Sequence, residues 1–246
     1  LAKLSEWFRA NRLAVNTKKT QYIIFHTKGK TLNTNNRQIV FNNNDRHLPL
    51  EQQDTNLITP LERVHSKHTD KAMTSYKLLG IHLDENLTFD QNTKALTSKL
   101  NRAIFHLNRV KNILTTKSLM SLYYALVHSH LNYCPIISGS TSAKNRNTIT
   151  KLQKKAIRIA NKTTYNAHTS PLFEKHKILT YENIIKQHTL HFMHSVHNHY
   201  SPPIFENTWT TNTDRNISYE LRNTHAYTQP RLNYSYLKNS PLYSFP

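Results

Sequence analysis

The sequence predicts an α+β protein, with short strands in the first third of the chain and helices in the remainder. Runs of β-branched and aromatic residues, bounded by polar turns, occur before about residue 84. From residue 91 onward the apolar residues instead recur every three or four positions, which is the period of an amphipathic helix. A chain of 246 residues is long enough to bury the core of one large domain or two small ones.

The first third begins with a predicted helix and continues into a strand. The helix covers Leu1 to Asn11, with Leu4, Trp7 and Phe8 on one face, and we expect Trp7 and Phe8 to lie in the core. The β-branched and aromatic content of residues 21–25 predicts the strand.

An asparagine-rich segment separates this strand from a predicted strand pair. Residues 31–60 predict a loop, interrupted by a short strand from Gln38 to Phe41. We expect the strand pair to be formed by Leu61 to Val64 and Tyr76 to Leu83.

Four helices are predicted in the remainder of the chain. The first has an apolar stripe from Leu96 to Leu114, and the second carries Leu119 to Val127. The third carries Ile149, Leu152, Ala156, Ile159 and Ala160, and the fourth extends from Tyr181 to His199. Beyond residue 203 the sequence has no clear period, and we expect irregular structure there.

Charge is the strongest global signal. Lys and Arg total 33 against 14 acidic residues, which gives a formal net charge of +19. Between Gln91 and Phe173 there is no Asp or Glu at all, although thirteen lysines and arginines occur there. Like charges on one helix face repel unless an anion lies against them, so this pattern favours contact with nucleic acid over an ordinary solvated surface. The predicted contacts, on the helix sides opposite the apolar stripes, are Lys94, Lys99, Arg102, Arg109, Lys151, Lys154, Lys155 and Arg158.

Composition excludes several other classes. The single cysteine, Cys134, leaves no intramolecular disulfide and no cysteine-based zinc knuckle, and it suits an intracellular location, nucleus or cytoplasm, rather than secretion. Three glycines are too few for a P-loop or a dinucleotide-binding motif. No apolar run is long enough to cross a bilayer, so we expect no membrane partner.

Four motifs occur in an order and spacing that resemble the reverse transcriptases of LINE-like (non-LTR, jockey-like) retrotransposons, in the part that follows the catalytic Tyr/Phe-x-Asp-Asp. Residues 4–25 match the family pattern L..W...N.L.lN..KT..i.F, and residues 77–84 match its LGi.ld element. Residues 122–140 resemble lYyalv.shl.Y...iwG, and residues 152–158 resemble the LQkkaiR helix.

The resemblance implies a division of the chain into three parts. Residues 1–90 would be the C-terminal part of a polymerase palm, residues 91–165 a helical basic thumb, and residues 166–246 a helical extension with an irregular tail. The thumb would hold an RNA template and a DNA primer by their sugar–phosphate backbones. Leu79 and Gly80 would form the primer grip, although an ordinary hairpin glycine explains Gly80 equally well. The fingers and the rest of the palm would precede Leu1, so we expect a fragment.

The resemblance also bears on catalysis. Lys19 matches the lysine of the family's KT motif and would be a general acid for departing pyrophosphate; a phosphate-contacting or solvated lysine is the competing interpretation. The only adjacent acidic pair, Asp84-Glu85, predicts a turn rather than a metal-binding hairpin. We therefore expect no polymerase activity, no metal site and no cofactor in this fragment, while the complete enzyme would use Mg²⁺.

Two groups of residues leave alternatives open. His188, His191, His194 and His197 follow one another at steps of three, but no acidic or thiol partner lies near, which favours composition bias over a zinc site. The tyrosines at positions 123, 124 and 133 suit packing better than base stacking. Two other functions also stay open: a freestanding basic RNA- or DNA-binding module, and a non-functional relic of a mobile element.

Overall fold

The computed structural model describes residues 2–13, 15–16, 19–27, 40–42, 58–60, 62–64, 75–205, 208–213 and 227–228. The chain divides into two compact units, residues 1–87 and residues 88–246. Strands occur in the first unit and most of the helices in the second, so the prediction of a mixed helix-and-strand protein is confirmed.

In its described residues, the first unit contains helix α1 and six three-residue strands. Helix α1 is Ala2–Ala10, and the strands are β1 (Gln21–Ile23), β2 (Val40–Asn42), β3 (Ile58–Pro60), β4 (Glu62–Val64), β5 (Tyr76–Leu78) and β6 (Ile81–Leu83). Strand β1 pairs in parallel with β4, whereas β2 with β3 and β5 with β6 are antiparallel pairs.

The predicted strand pair had one wrong partner. Residues 62–64 pair with residues 21–23, and residues 76–83 form a hairpin on their own. The hairpin turns at Leu79 and Gly80, whose φ angles of 46° and 88° are both left-handed. Two positive φ angles are typical of the tight turns that match the twist of a hairpin, and they favour glycine at the second position.

The prediction that Trp7 lies in the core is also wrong for the described residues. Trp7 is 55% exposed, and Phe8 is half-buried with its ring centroid 5.3 Å from that of Trp7. The two rings contact edge to face on α1.

Seven helices are described in the second unit, together with a π-helical turn and a 3-10 turn. The helices are α2 (Asp90–Val110), α3 (Thr116–Tyr123), α4 (Ser129–Leu131), α5 (Pro135–Gly139), α6 (Ala143–Ala160), α7 (Ser170–Lys175) and α8 (Tyr181–His197). Residues 124–128 form the π turn that joins α3 to α4, and residues 203–205 form the 3-10 turn.

Three of the helices begin at a side-chain cap. Thr115, Ser142 and Thr180 each accept a hydrogen bond from the backbone N–H three residues later, at the starts of α3, α6 and α8. Such caps satisfy an amide that has no partner inside the helix.

One hydrophobic core holds the helices of the second unit together. Its fully buried members include Leu100 and Leu107 of α2, Ile149 and Ile157 of α6, and Tyr181 of α8. This core continues past residue 165, the boundary between thumb and extension that the resemblance implies. A smaller cluster of Met193, Val196 and Trp209 closes the far end of α8.

A buried glutamine connects three elements of this core. Gln153 is 0% exposed, and its Nε2 donates to the Tyr123 hydroxyl (3.2 Å) and to the Leu179 carbonyl (2.9 Å). Its Oε1 accepts from the backbone N–H of Tyr181 (2.8 Å). Burial raises the pKa of Tyr123 to about 12, although the hydrogen bond with Gln153 opposes that shift. Gln153 thereby fixes α6 to α3 and to the start of α8.

The helix ends differ from the sequence predictions. Helix α2 ends at Val110, so Leu114 lies beyond it, and α8 ends at His197 rather than His199. Helix α6 begins at Ala143, six residues before the first member of its predicted apolar stripe, and these first residues are mostly polar. Where the sequence predicted one helix over 119–127, α3, the π turn and α4 follow one another. Across the described ranges, no helix is both long and apolar enough to pass through a membrane.

Candidate nucleic-acid interface

The outer face of α2 carries the clearest candidate surface. Lys94, Lys99, Arg102 and Arg109 are all exposed, while the opposite face of the helix supplies core residues. Lys94 and Arg102 border a shallow open groove together with Thr97, Ser98, Asn101 and Phe105. We call these six groove-lining residues, with Arg109, the α2 stripe.

An exposed aromatic ring lies within the α2 stripe. Phe105 is 59% exposed, and the guanidinium carbon of Arg109 lies 5.8 Å from the centre of its ring. That arrangement is a cation–π contact, which holds the arginine at the surface without using its hydrogen-bond donors. The guanidinium N–H groups therefore stay available for phosphate oxygens.

Lys99, the exposed cation of α2 outside the α2 stripe, lies near His130 of α4. Burial lowers the pKa of His130, and the positive charges of Lys99 and Arg102 lower it further. A neutral His130 therefore adjoins two cations at neutral pH. An anion bound at Lys99 and Arg102 would weaken that repulsion and favour protonation of His130.

The predicted contacts on α6 fall into two groups. Lys151 and Lys155 are exposed, and Lys154 is half-buried. Arg158 is half-buried as well, and its Nε donates to the Ala167 carbonyl (2.8 Å). Arg158 thus fixes the loop after α6, whereas Lys151 and Lys155 are free to meet an anion through solvent.

Arg146, like Arg158, donates hydrogen bonds to backbone carbonyls of the protein itself. Its Nη1 donates to the carbonyls of Thr141 (2.7 Å) and Gly139 (3.2 Å), and its Nε lies 3.4 Å from Glu182 Oε1. Glu182 is 46% exposed, so the ion pair is screened by water, and the two carbonyl bonds are the stronger reason for this position.

The predicted residues of the first unit lie in turns. Lys19 is exposed, and its backbone N–H donates to the Asn16 carbonyl (3.0 Å) just before β1. Leu79, 83% exposed, and Gly80 form the tip of the β5–β6 hairpin.

The acidic pair in this unit lies in a buried turn. Asp84 and Glu85 are buried in the turn after β6, where the Leu87 N–H donates to the Asp84 carbonyl (3.0 Å). Glu85 Oε2 lies 3.5 Å from Nε2 of His26, and the Glu85 carbonyl accepts from the His26 N–H (3.0 Å). Both residues thus belong to a packed turn. Within the ranges described above, no three His, Cys, Asp or Glu side chains are placed to share a metal ion.

The four histidines at steps of three lie along α8 with different surroundings. His188 is half-buried, with Nε2 2.9 Å from Asn132 Oδ1, and His197 Nδ1 lies 3.2 Å from the Tyr227 hydroxyl. His191 and His194 are exposed.

The three tyrosines also differ. Tyr123 is fully buried, in agreement with a packing role, whereas Tyr124 is 43% and Tyr133 49% exposed.

Sequence reasoning missed the neutral members of the α2 stripe. Phe105 and Asn101 fall on the charged side of α2 when each residue is advanced by about 100°. An aromatic residue on the charged side of an amphipathic helix was the available signal. No protein-family model matches this chain, and neither the curated proteins nor the solved structures contain one that is significantly similar to it.

Proposed function

We propose that this chain binds nucleic acid through the phosphate backbone, as the palm-end and thumb part of a LINE-like RNA-directed DNA polymerase. The single observation that carries the proposal is the absence of acidic residues from position 91 to position 173, combined with the exposed cations of α2. A solvated helix normally mixes charge signs, because opposite charges one turn apart stabilise it.

The composition of the α2 stripe supports backbone contact. Lys94, Arg102 and Arg109 offer cations, and Ser98 and Asn101 offer neutral donors of the kind that commonly contact phosphate and sugar. The groove is open and shallow, which suits a strand lying along the helix better than an enclosed small molecule.

The four-motif resemblance supports the assignment to a polymerase. Its LGi.ld element coincides with the β5–β6 hairpin, whose exposed tip at Leu79 and Gly80 has the shape expected of a primer grip. The catalytic aspartates and their magnesium ions would belong to a preceding part of the polymerase. This chain would position template and primer without catalysing nucleotide addition.

A salt titration of the full chain with a labelled duplex tests the binding proposal. The logarithm of affinity falls with the logarithm of salt concentration by about 0.9 for each phosphate neutralised. The variant Lys94→Gln/Arg102→Gln should therefore reduce the slope by about two. The control Lys175→Gln/Lys186→Gln removes the same charge from exposed positions outside the stripe and should leave the slope near that of the wild type. Equal slopes for both double variants would reject the α2 stripe as the contact surface.

A second comparison separates the polymerase fragment from a freestanding basic module. A grip for template and primer should prefer an RNA–DNA duplex with a recessed primer end over a blunt duplex of equal length. Equal affinity for the two duplexes would support a general backbone binder instead.

A further inference from the structure

A cleft lies between the segment formed by the π turn and α4 on one side and the first half of α8 on the other. Tyr124, His128 and Asn132 border it at steps of four residues from one side. Gln187 and His188 of α8 border it from the other. Its volume is roughly 310 Å³, at the lower end of the range for small-molecule sites.

The cleft has a fixed frame. His188 Nε2 and Asn132 Oδ1, 2.9 Å apart, connect its two walls at one end. At the other end the Tyr124 hydroxyl donates to the His176 carbonyl (3.5 Å). The buried side chains of Ile178 and Ile184 supply apolar lining.

A partly exposed aromatic ring stands in one wall. Tyr124 is 43% exposed and contacts the rings of Tyr123 and His128 at centroid distances of 5.7 and 5.4 Å, both edge to face. These neighbours restrain the Tyr124 ring while part of it faces solvent. A restrained aromatic ring is a platform on which a flat ring can stack at little entropic cost.

The polar groups of the cleft suit a neutral ring that carries an anion. None of the described residues that line the cleft is acidic, and Lys177 at the rim is exposed and positive. Burial lowers the pKa of His128, so that ring is neutral at neutral pH. The Gln187 amide presents a donor and an acceptor, which is the pattern found on the edge of a nucleobase, and Asn132 adds its Nδ2 donor because its Oδ1 is already engaged by His188.

We propose that this cleft binds one unpaired nucleotide of a single strand, with its base on Tyr124, its base edge toward Asn132 and Gln187, and its phosphate at Lys177. The inference rests on the proposed nucleic-acid function but concerns a site outside the α2 stripe. The stripe would hold backbone in a sequence-independent manner, and the cleft would hold a base.

The test measures binding of the full chain to two short single strands by fluorescence anisotropy. One strand carries bases, and the other is abasic with the same number of phosphates. Wild type should bind the base-bearing strand about tenfold more tightly, the effect of one stacked base. Tyr124→Leu should remove that preference, while Tyr124→Phe should keep it. Tyr165→Leu, which alters a 78% exposed tyrosine outside the cleft, is the matched control and should also keep it.

The outcomes separate the two proposals. Equal wild-type affinity for the base-bearing and abasic strands would overturn the cleft, and this comparison needs no variant that might misfold. Retention of the preference in Tyr124→Leu would overturn it as well. If either result occurred while Lys94→Gln/Arg102→Gln still weakened duplex binding, the cleft would be rejected and the α2 proposal would stand. If the wild-type chain bound no strand and no duplex, both proposals would be rejected. Competition by a free nucleoside monophosphate at the same site would show that the cleft accepts a free nucleotide as well as a strand residue.

Discussion

Replacing the buried Gln153 by methionine tests the organisation of the helical unit most directly. Methionine has nearly the same volume and shape as glutamine, so the variant removes the hydrogen bonds while leaving little cavity. The affected partners are the Tyr123 hydroxyl, the Leu179 carbonyl and the Tyr181 N–H, all bonded at 2.8–3.2 Å.

The expected loss follows from those three partners. A buried polar group without a partner costs about 1–3 kcal/mol, and the apolar methionine recovers part of this through its own burial. We therefore expect the free energy of unfolding to fall by about 3 kcal/mol. This is a large share of the 5–15 kcal/mol that is typical of a whole domain.

Denaturant unfolding of the full chain, followed by far-ultraviolet circular dichroism, measures the change mainly in the helices. Gln187→Met is the matched control, because Gln187 is exposed on α8 and a surface change should stay within about 0.5 kcal/mol. If Gln153→Met differed from this control by less than 1 kcal/mol, the glutamine would not be fixing the three elements, and the reasoning would fail.

Three further changes probe packing and titration in the same unit. Gly139→Ala would place a Cβ 2.6 Å from Cδ1 of Ile185, and overpacking should outweigh the gain in helix propensity, lowering the melting temperature by an amount equivalent to about 1 kcal/mol; a rise would contradict the close approach of α5 and α8. Tyr181→Phe removes a buried hydroxyl that has no hydrogen-bond partner among the described residues, so denaturant unfolding should show stability unchanged or raised by about 1 kcal/mol, and a fall of that size would refute the assignment. The pKa values of His128 and His130 are lowered, so the unfolded state takes up protons first and stability should decrease as pH falls below about 6.5; glutamine at either position should flatten the acid side of a stability–pH profile, and an unchanged profile would count against the burial of these rings.

The long helices were predictable because each carries its apolar stripe through several turns. Helix α2 follows from such a stripe, whereas the beginning of α6 at Ala143 does not, since its polar first turns give no period. Two short helices were missed although proline at positions 135 and 171 marked their first turns. Three-residue strands carry too little pattern to choose a partner, which is why residues 62–64 were paired with the wrong segment.

The candidate site was predictable in its charge and less so in its detail. The exposure of Lys94 and Arg109 follows from helical geometry, because both lie opposite the core face. The internal hydrogen bond of Arg158 does not follow, since a sequence gives no sign that a carbonyl from the next loop will return to a guanidinium. The cleft beside Tyr124 depends on packing between segments more than forty residues apart, and no local pattern specifies it.

The π turn at residues 124–128 explains an unusual spacing in the sequence. Leu119, Tyr123, Val127 and Leu131 are spaced strictly by four and are all essentially buried. On a regular α-helix each step of four residues advances about 40° around the axis, so the last of them would lie about 120° from the first and leave the core. A wider turn absorbs part of that drift. The turn is thus equivalent to a one-residue insertion. Deleting a single residue from it would restore a regular helix, but it would also rotate the side chains of the residues that follow about the helix axis.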